Sequence, residues 1–104
     1  MSDTEGRVMN RSELLRLLQS HKQTLSERFG VTSLALFGSF ARGEATDDSD
    51  LDILVTFDGP ATSRSYFGVQ FYIEGLTGRT VDLVTDKALR PELRQSVERD
   101  CVHV

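Results

Sequence analysis

The sequence predicts an α/β (α+β) fold, a small mixed sheet with helices packed on it. Apolar residues recur at helical spacing in an early and a middle segment, around Leu14 and Phe67. Three short apolar runs of strand-like composition lie at residues 32–37, 51–57 and 80–84. A length of 104 residues suits one domain, because a chain of this size does not hold two independent cores.

The first helix is predicted to begin at Asn10 or Ser12 and to end near Phe29-Gly30. Either polar residue suits the amino-terminal cap, and leucines recur on one face of the helix. These leucines are Leu14, Leu15, Leu17, Leu18 and Leu25. Residues 1–9 are mostly small and polar, so we expect a flexible lead-in before a domain that spans residues 10–104.

The remaining elements follow from strand alternation, turn residues and one proline. In chain order we expect a strand at 32–37, a brief helix at 39–44, a strand at 51–57, a helix at 65–76, a strand at 80–84, a helix at 91–99 and a short edge strand at 101–104. Asp58-Gly59-Pro60 marks the turn before the middle helix. Pro91 follows a turn at residues 88–91 and suits the first position of the last helix.

A pair of aspartates follows a glycine-serine turn at a fixed distance. Gly38-Ser39 ends the first strand, ten residues follow, and Asp50-Leu51-Asp52 opens the second strand. Side chains alternate along a strand, so Asp50 and Asp52 point to the same face. Two carboxylates this close repel each other unless a cation lies between them, and such hard oxygen ligands suit Mg²⁺ or Mn²⁺.

Asp82 is the third candidate ligand, because it interrupts an apolar strand in the same way as Asp52. If the second and third strands are neighbours, the three carboxylates converge at one end of the sheet. Two metal ions about 3.5–4 Å apart stabilise the attacking and the leaving oxygen of a phosphoryl transfer. Asp50 and Asp52 can bridge both ions, and Asp82 can complete one of them and accept the proton of the attacking hydroxyl. These three aspartates are the predicted catalytic and metal-binding residues.

The candidate nucleotide-binding residues are Gly38, Ser39, Arg42 and Ser49. Glycine permits close approach of the backbone to a phosphate, N–H groups at a helix start point at anions, and the serine hydroxyl adds a donor. Arg42 lies one turn further on and can grip a phosphate with two hydrogen bonds. Ser49 directly precedes the carboxylates and can cap or orient their loop.

Each of these features has an ordinary structural interpretation when it stands alone. Gly38-Ser39 suits a plain strand-to-helix turn, and Arg42 suits an exposed surface. Asp50 and Asp52, which follow Asp47-Asp48, suit a solvated acidic loop. Their joint occurrence in this order, with acids placed in predicted strands, favours the functional interpretation.

Two other binding motifs with similar spacing are excluded because residues that they require are replaced. A P-loop is excluded because Glu44-Ala45 stands where lysine and a hydroxyl residue are needed. An EF-hand is excluded because Ile53 replaces its glycine. An aromatic cluster at helical spacing is expected in the core rather than as a stacking platform: Phe67, Phe71 and Tyr72.

Charge and composition limit the classes of partner that we expect for this protein. A net charge of −4 argues against a surface that neutralises many phosphates, so we expect no direct nucleic-acid binding. No apolar run approaches the roughly 20 residues that cross a bilayer, and residues 1–6 lack signal-peptide features. We therefore expect a cytoplasmic protein without a membrane partner. The single cysteine, Cys101, excludes an internal disulfide and fits a reducing compartment.

Two segments carry a family resemblance, Gly38-Ser39-Phe40-Ala41-Arg42-Gly43 and Ser49-Asp50-Leu51-Asp52. They resemble the minimal nucleotidyltransferases (MNT) of the DNA polymerase beta superfamily, and the similarity continues through residues 78–84 and the tail around residues 89–91. The resemblance implies a nucleotidyltransferase-type sheet. It also implies that Asp50, Asp52 and Asp82 form the metal-binding triad and that Gly38 and Ser39 form the triphosphate turn.

Arg42 is typical of a subgroup, the MNT antitoxins, which are encoded beside HEPN-domain toxin ribonucleases. The resemblance implies transfer of AMP from ATP to a tyrosine of a HEPN toxin, with two Mg²⁺ ions, or Mn²⁺ in their place. The short chain supports a protein substrate, because the larger polymerases use further domains to hold nucleic acid. Its acidic charge favours a basic protein partner.

Two other functions stay open at this point. The main alternative is a binding module, a non-catalytic antitoxin that neutralises its partner by complex formation. Nucleotide transfer to a small molecule such as an aminoglycoside is the weaker alternative, because that family usually carries an additional helical domain.

Overall fold

The computed structural model describes residues 9–46 and 48–104. Its elements in chain order are α1 Arg11–Phe29, β1 Val31–Phe37, α2 Gly38–Arg42, β2 Leu51–Phe57, α3 Ser63–Thr77, β3 Val81–Thr85, a 3₁₀ helix Asp86–Ala88, α4 Pro91–Asp100 and β4 Val102–His103. The mixed sheet with packed helices confirms the predicted α/β (α+β) fold class.

The order of the strands decides which strand ends meet. The sheet runs β3-β2-β1-β4, and β2 and β3 are parallel neighbours as predicted. Strand β1 is antiparallel to both β2 and β4. The carboxyl end of β1 therefore lies beside the amino ends of β2 and β3.

Helix α1 has defined caps at both ends. The Asn10 side chain accepts the Glu13 N–H at 2.8 Å, and the Glu13 carboxylate accepts the Asn10 N–H at 3.0 Å. Of the two predicted caps, Asn10 is therefore the actual one. Gly30 ends the helix in the left-handed conformation, with φ of 76°. The buried leucines of α1 are Leu14, Leu18 and Leu25.

The core lies on the face of the sheet that α1 and α3 cover. In β2, Leu51, Ile53 and Val55 are buried, whereas Asp52 between them is only half-buried. Buried partners on the other elements are Leu34, Leu36, Val69, Ile73, Val81 and Leu83. Because side chains alternate along a strand, Asp52 points away from α1 and α3.

Helix α3 begins at Ser63, two residues before the predicted start, because Thr62 caps it. The Thr62 hydroxyl accepts the Ser65 N–H at 3.1 Å, and the Ser65 hydroxyl accepts the Thr62 N–H at 3.0 Å. Gly68 lets α3 approach α1 closely, since a Cβ there would lie 2.4 Å from a ring carbon of Phe29.

The predicted core aromatics of α3 are only partly buried. Phe67 is 49% exposed and Phe71 is 63% exposed, so their placement in the core is wrong. Tyr72 does pack against the core, and its hydroxyl lies 2.8 Å from Nδ1 of His21 on α1. The three aromatics differ because α1 and the sheet cover only one side of α3.

The chain after β3 contains one element that the sequence did not predict. Residues 86–88 form a 3₁₀ helix, capped by the Thr85 hydroxyl, which accepts the Ala88 N–H at 3.2 Å. Pro91 stands at the start of α4 as predicted. Strand β4 pairs with β1 at the sheet edge, in agreement with the expected final strand.

The predicted lead-in of residues 1–9 falls mostly outside the described residues, and so does Asp47. Met9 is described, and its half-buried side chain packs against the core. The boundary between a lead-in and a domain of residues 10–104 stays a prediction. Within the described chain, none of the helices has both the length and the apolar character to cross a membrane.

Candidate active site

Three predicted site segments meet at one end of the sheet. Phe37, directly before the glycine-serine turn, is the register partner of Asp52, and Asp52 is the register partner of Asp82. The turn therefore lies beside the amino ends of β2 and β3. Asp52 and Asp82 occupy matching positions on neighbouring parallel strands, so their side chains emerge on the same face.

Asp52 is the electrostatic centre of this group. The pKa of Asp52 is raised from 3.8 to about 6, chiefly by burial and also by the negative charges of Asp82 and Asp50. A hydrogen bond with Asp82 also favours the protonated form, whereas the Arg42 guanidinium opposes the shift. The shift means that Asp52 lies close to two other carboxylates, and such a group favours a cation.

The three carboxylates are not yet assembled as metal ligands. Among residues 9–46 and 48–104, no three side chains of His, Cys, Asp or Glu stand close enough together to hold a metal ion. Asp50 and Asp82 are exposed, so their side chains can rotate, and both are near enough to influence Asp52. The all-oxygen donor set suits Mg²⁺ or Mn²⁺, and side-chain rotation is what binding would require.

Gly38 is required by both its backbone and its surroundings. Its φ is 73°, a conformation that residues with a Cβ rarely adopt. A Cβ at this position would lie 2.1 Å from Oδ2 of Asp52. The glycine thus brings the turn into direct contact with the central carboxylate.

Ser39 follows at the start of α2, where backbone N–H groups have no partner within the helix. Phe37 precedes the helix without making a side-chain cap. Phe40 and Ala41 are buried and anchor α2 to the core. The start of α2 is therefore a fixed turn that can donate hydrogen bonds to an anion.

Arg42 is at the site but is engaged with another residue. Its Nε donates to Oε1 of Glu44 at 3.0 Å, and the arginine side chain is 47% exposed. Its charge also lowers the pKa of Asp52, so it lies near the carboxylates. An exposed ion pair of this kind is weak, and an incoming phosphate can displace Glu44.

Ser49 organises the loop that leads to Asp50. Its hydroxyl accepts the Thr46 N–H at 2.8 Å, and its own N–H donates to the Thr46 carbonyl at 3.1 Å. These contacts fit the predicted capping role. The hydroxyl is the acceptor in the contact with the Thr46 N–H, and a phosphate contact by Ser49 remains a prediction.

Arg79 is a site-supporting residue that the sequence analysis missed. Its guanidinium donates to the Ser49 carbonyl at 3.0 Å and to the Thr46 carbonyl at 3.4 Å. It also lies over the ring of Phe40, at 5.0 Å from the centroid. Arg79 therefore links the loop before Asp50 to α2. The sequence signals were its position three residues before Asp82 and its place in the segment 78–84 that carries the family resemblance.

The sequence matches a protein family and a relative that has a name. Residues 18–104 match the nucleotidyltransferase domain family. Protein adenylyltransferase MntA of Thermococcus cleftensis is 39% identical over 97 residues, covering 93% of this chain and 98% of that protein.

Solved structures agree with the fold. A structure described as a minimal nucleotidyltransferase has a TM-score of 0.78 and 38% identity, covering 93% of this chain and 98% of the other. A chain from the complex of the tri-AMPylated Shewanella oneidensis HEPN toxin with its MNT antitoxin has a TM-score of 0.57. The match spans 90% of this chain and 67% of that chain. Because the two chains are only 19% identical, this likeness shows the fold alone. The chain belongs to the nucleotidyltransferase domain family, and its fold is that of the minimal nucleotidyltransferases.

Proposed function

We propose that this protein is a Mg²⁺-dependent adenylyltransferase that transfers AMP from ATP to a tyrosine hydroxyl of a HEPN-type toxin, and is thereby its antitoxin. The observation that carries the proposal is the position of Asp52, which lies against the Gly38-Ser39 turn and opposite Asp82, with Asp50 near enough to raise its pKa. A relative that matches nearly the whole chain is named a protein adenylyltransferase, which supports AMP as the transferred group.

In the proposed reaction, the acceptor oxygen attacks the α-phosphorus of ATP and the bond to the bridging oxygen breaks, which releases pyrophosphate. Asp50, Asp52 and Asp82 would hold the magnesium ions, or manganese in their place. Bound magnesium would offset the negative charge of the phosphates and of the attacking and leaving oxygens. Asp82 is exposed and adjoins Asp52, so its carboxylate can accept the proton of the acceptor hydroxyl.

The turn opposite the carboxylates would bind the phosphates. Backbone N–H groups at Gly38 and Ser39 can donate to phosphate oxygens, and the Ser39 hydroxyl adds a further donor. Arg42 can exchange Glu44 for a phosphate and offset charge in the transition state. These contacts need only small side-chain movements, since α2 is anchored by buried Phe40.

A protein acceptor suits the openness of the site. Asp50 and Asp82 are exposed on the sheet face that α1 and α3 do not cover. A tyrosine on the surface of another protein can therefore reach the carboxylates without a channel. We place the reaction in the cytoplasm, where ATP and Mg²⁺ are available.

The direct test is the intact mass of the co-purified partner before and after incubation with ATP and Mg²⁺. We expect the partner to gain whole adenylate units. The variant D50N/D52N should leave the mass unchanged while the complex persists, because the metal ligands are lost. Asp58→Asn makes the same chemical change at the far end of β2 and should leave the reaction intact. Modification by D50N/D52N at the normal rate would refute the assignment.

A non-catalytic antitoxin is the second candidate, favoured by Leu93 on α4, which is 51% exposed and available to contact a partner. In this case the partner is neutralised by complex formation alone. The D50N/D52N variant would then still protect cells from the toxin, and Leu93→Glu would abolish protection. The catalytic proposal expects the opposite pattern.

A further inference from the structure

The outer face of α3 presents a regular stripe that the rest of the described chain covers only in part. Arg64, Phe67, Phe71 and Glu74 follow the spacing of three, four and three residues, which is the seam of a coiled coil. The two phenylalanine rings stack at 6.2 Å between centroids; Phe71 is 63% exposed and Phe67 is 49% exposed. We call these four residues the α3 stripe.

We infer that the α3 stripe pairs antiparallel with the α3 stripe of a second copy of this chain. The stripe is self-complementary in that orientation, because its aromatic centre is flanked by opposite charges at its two ends. When Phe67 of one copy lies opposite Phe71 of the other, Arg64 lies opposite Glu74. Each of these two contacts therefore occurs twice, related by a two-fold axis, as an isologous interface requires.

The charged ends of the stripe are available for this pairing. Arg64 is exposed and has no hydrogen bond or ion pair with any residue in the described parts of the chain. One carboxylate oxygen of Glu74 accepts the Val81 N–H at 3.0 Å, which holds the side chain at the helix surface. The other oxygen can accept a guanidinium, which is a favourable charge-assisted contact.

Gly75 is a second observation in favour of a close neighbour. It lies inside α3, where glycine destabilises a helix by about 1 kcal/mol relative to alanine. Within the described chain no atom lies within 4 Å of the place where its Cβ would be, so no intramolecular contact explains the glycine. A glycine on an exposed helix face lets another backbone approach closely.

The position of the stripe favours a second copy over the modified partner. Asp52 faces away from α1 and α3, so an acceptor residue must approach the opposite side of the sheet. A dimer through α3 leaves both carboxylate sites open. Two phenylalanines per copy make a small interface compared with the usual burial of about 800 Å² per partner, so we expect weak, concentration-dependent association.

Sedimentation equilibrium of the whole chain over a wide concentration range tests the inference. The wild type should show a monomer–dimer equilibrium. Phe71→Glu should raise the dissociation constant by about tenfold or more, because it places charges in the aromatic centre. Leu93→Glu is the matched control, since it adds the same charge to another exposed apolar residue, on α4, and it should leave the equilibrium unchanged.

A charge exchange tests the orientation. Arg64→Glu should weaken the dimer, and the double variant R64E/E74R should restore it. Arg64 and Glu74 are about 15 Å apart along their own helix, so a rescue must act between copies. A wild type that stays monomeric at high concentration, or equal effects of Phe71→Glu and Leu93→Glu, would overturn the inference. Loss of partner binding by Phe71→Glu in a monomeric wild type would instead assign the stripe to the partner and also overturn it.

Discussion

At the residue scale, Gly38 links the conformation of the chain to the chemistry of the site. Its positive φ requires glycine, and so does its contact with Asp52. Gly43 has nearly the same φ, 74°, but a Cβ there would meet no atom of the described residues within 4 Å. A substitution at Gly43 therefore tests backbone strain alone, whereas a substitution at Gly38 adds a clash with the Asp52 carboxylate.

Gly38→Ala should abolish detectable AMP transfer, because the added methyl group displaces the Asp52 carboxylate. Gly43→Ala carries only the strain of a left-handed residue, about 1 kcal/mol, and should retain most activity. Urea unfolding and partner labelling measure both effects. Equal losses in the two variants would show that the contact with Asp52 is unimportant.

Asp52 should also make the metal-free protein less stable as the pH rises. Its pKa is raised to about 6 in the folded state against 3.8 unfolded, so between these values the folded protein holds the proton more tightly. Stability is then greatest below pH 4, falls as the pH rises through 6, and is constant above. Since the group is partly solvated, we expect an effect of about 1 to 2 kcal/mol.

Thermal unfolding in EDTA from pH 4 to 8 measures this dependence. Asp52→Asn should stabilise the metal-free protein at pH 8 and remove this contribution to the pH slope. Asp58→Asn, at the exposed end of β2, should keep the slope of the wild type. The account of Asp52 fails if the asparagine variant is less stable at pH 8.

At the element scale, the site depends on a loop and a helix that Arg79 connects. Its hydrogen bonds hold the carbonyls of Thr46 and Ser49, and its guanidinium stacks on Phe40 of α2. We therefore interpret Arg79 as a positioning residue for Asp50 and for the predicted phosphate-binding turn.

Arg79→Ala should weaken the apparent affinity for Mg²⁺ by about tenfold, because the loop before Asp50 loses its anchor. Lysine should restore little, since it lacks the planar guanidinium that stacks on the Phe40 ring. Arg16→Ala on the exposed face of α1 is the control. Metal titrations of AMP transfer measure the effect, and an unchanged magnesium requirement would contradict this role.

The sequence predicted the elements well where local patterns decide them. Alternation located β2, Pro91 located α4, and the spacing of the aspartates located the carboxylate group. Prediction from the sequence failed where tertiary packing determines the environment of a side chain. Phe67 and Phe71 have helical spacing with the core residues, yet exposure depends on where α1 ends and which side of α3 the sheet covers. Arg79 was missed because its partners are backbone carbonyls about thirty residues away.

At the scale of the whole molecule, the two faces of the sheet have different roles. One face is covered by α1 and α3 and forms the core, and the other presents Asp52 and Asp82. The antiparallel pairing of β1 with β2 brings the phosphate-binding turn to the same end as the acids. Under the proposed function, one face of this small sheet would supply the metal ligands and the phosphate turn, and the acceptor would come from a partner.

In the proposed function, Asp50, Asp52 and Asp82 together hold divalent metal beside a nucleotide. Electron paramagnetic resonance of bound Mn²⁺, with a non-hydrolysable ATP analogue present, tests it most directly. We predict two Mn²⁺ ions per chain for the wild type and for Asp58→Asn, and loss of this binding in D50N/D52N and in Asp82→Asn. Unchanged Mn²⁺ binding after removal of these carboxylates would contradict the claim.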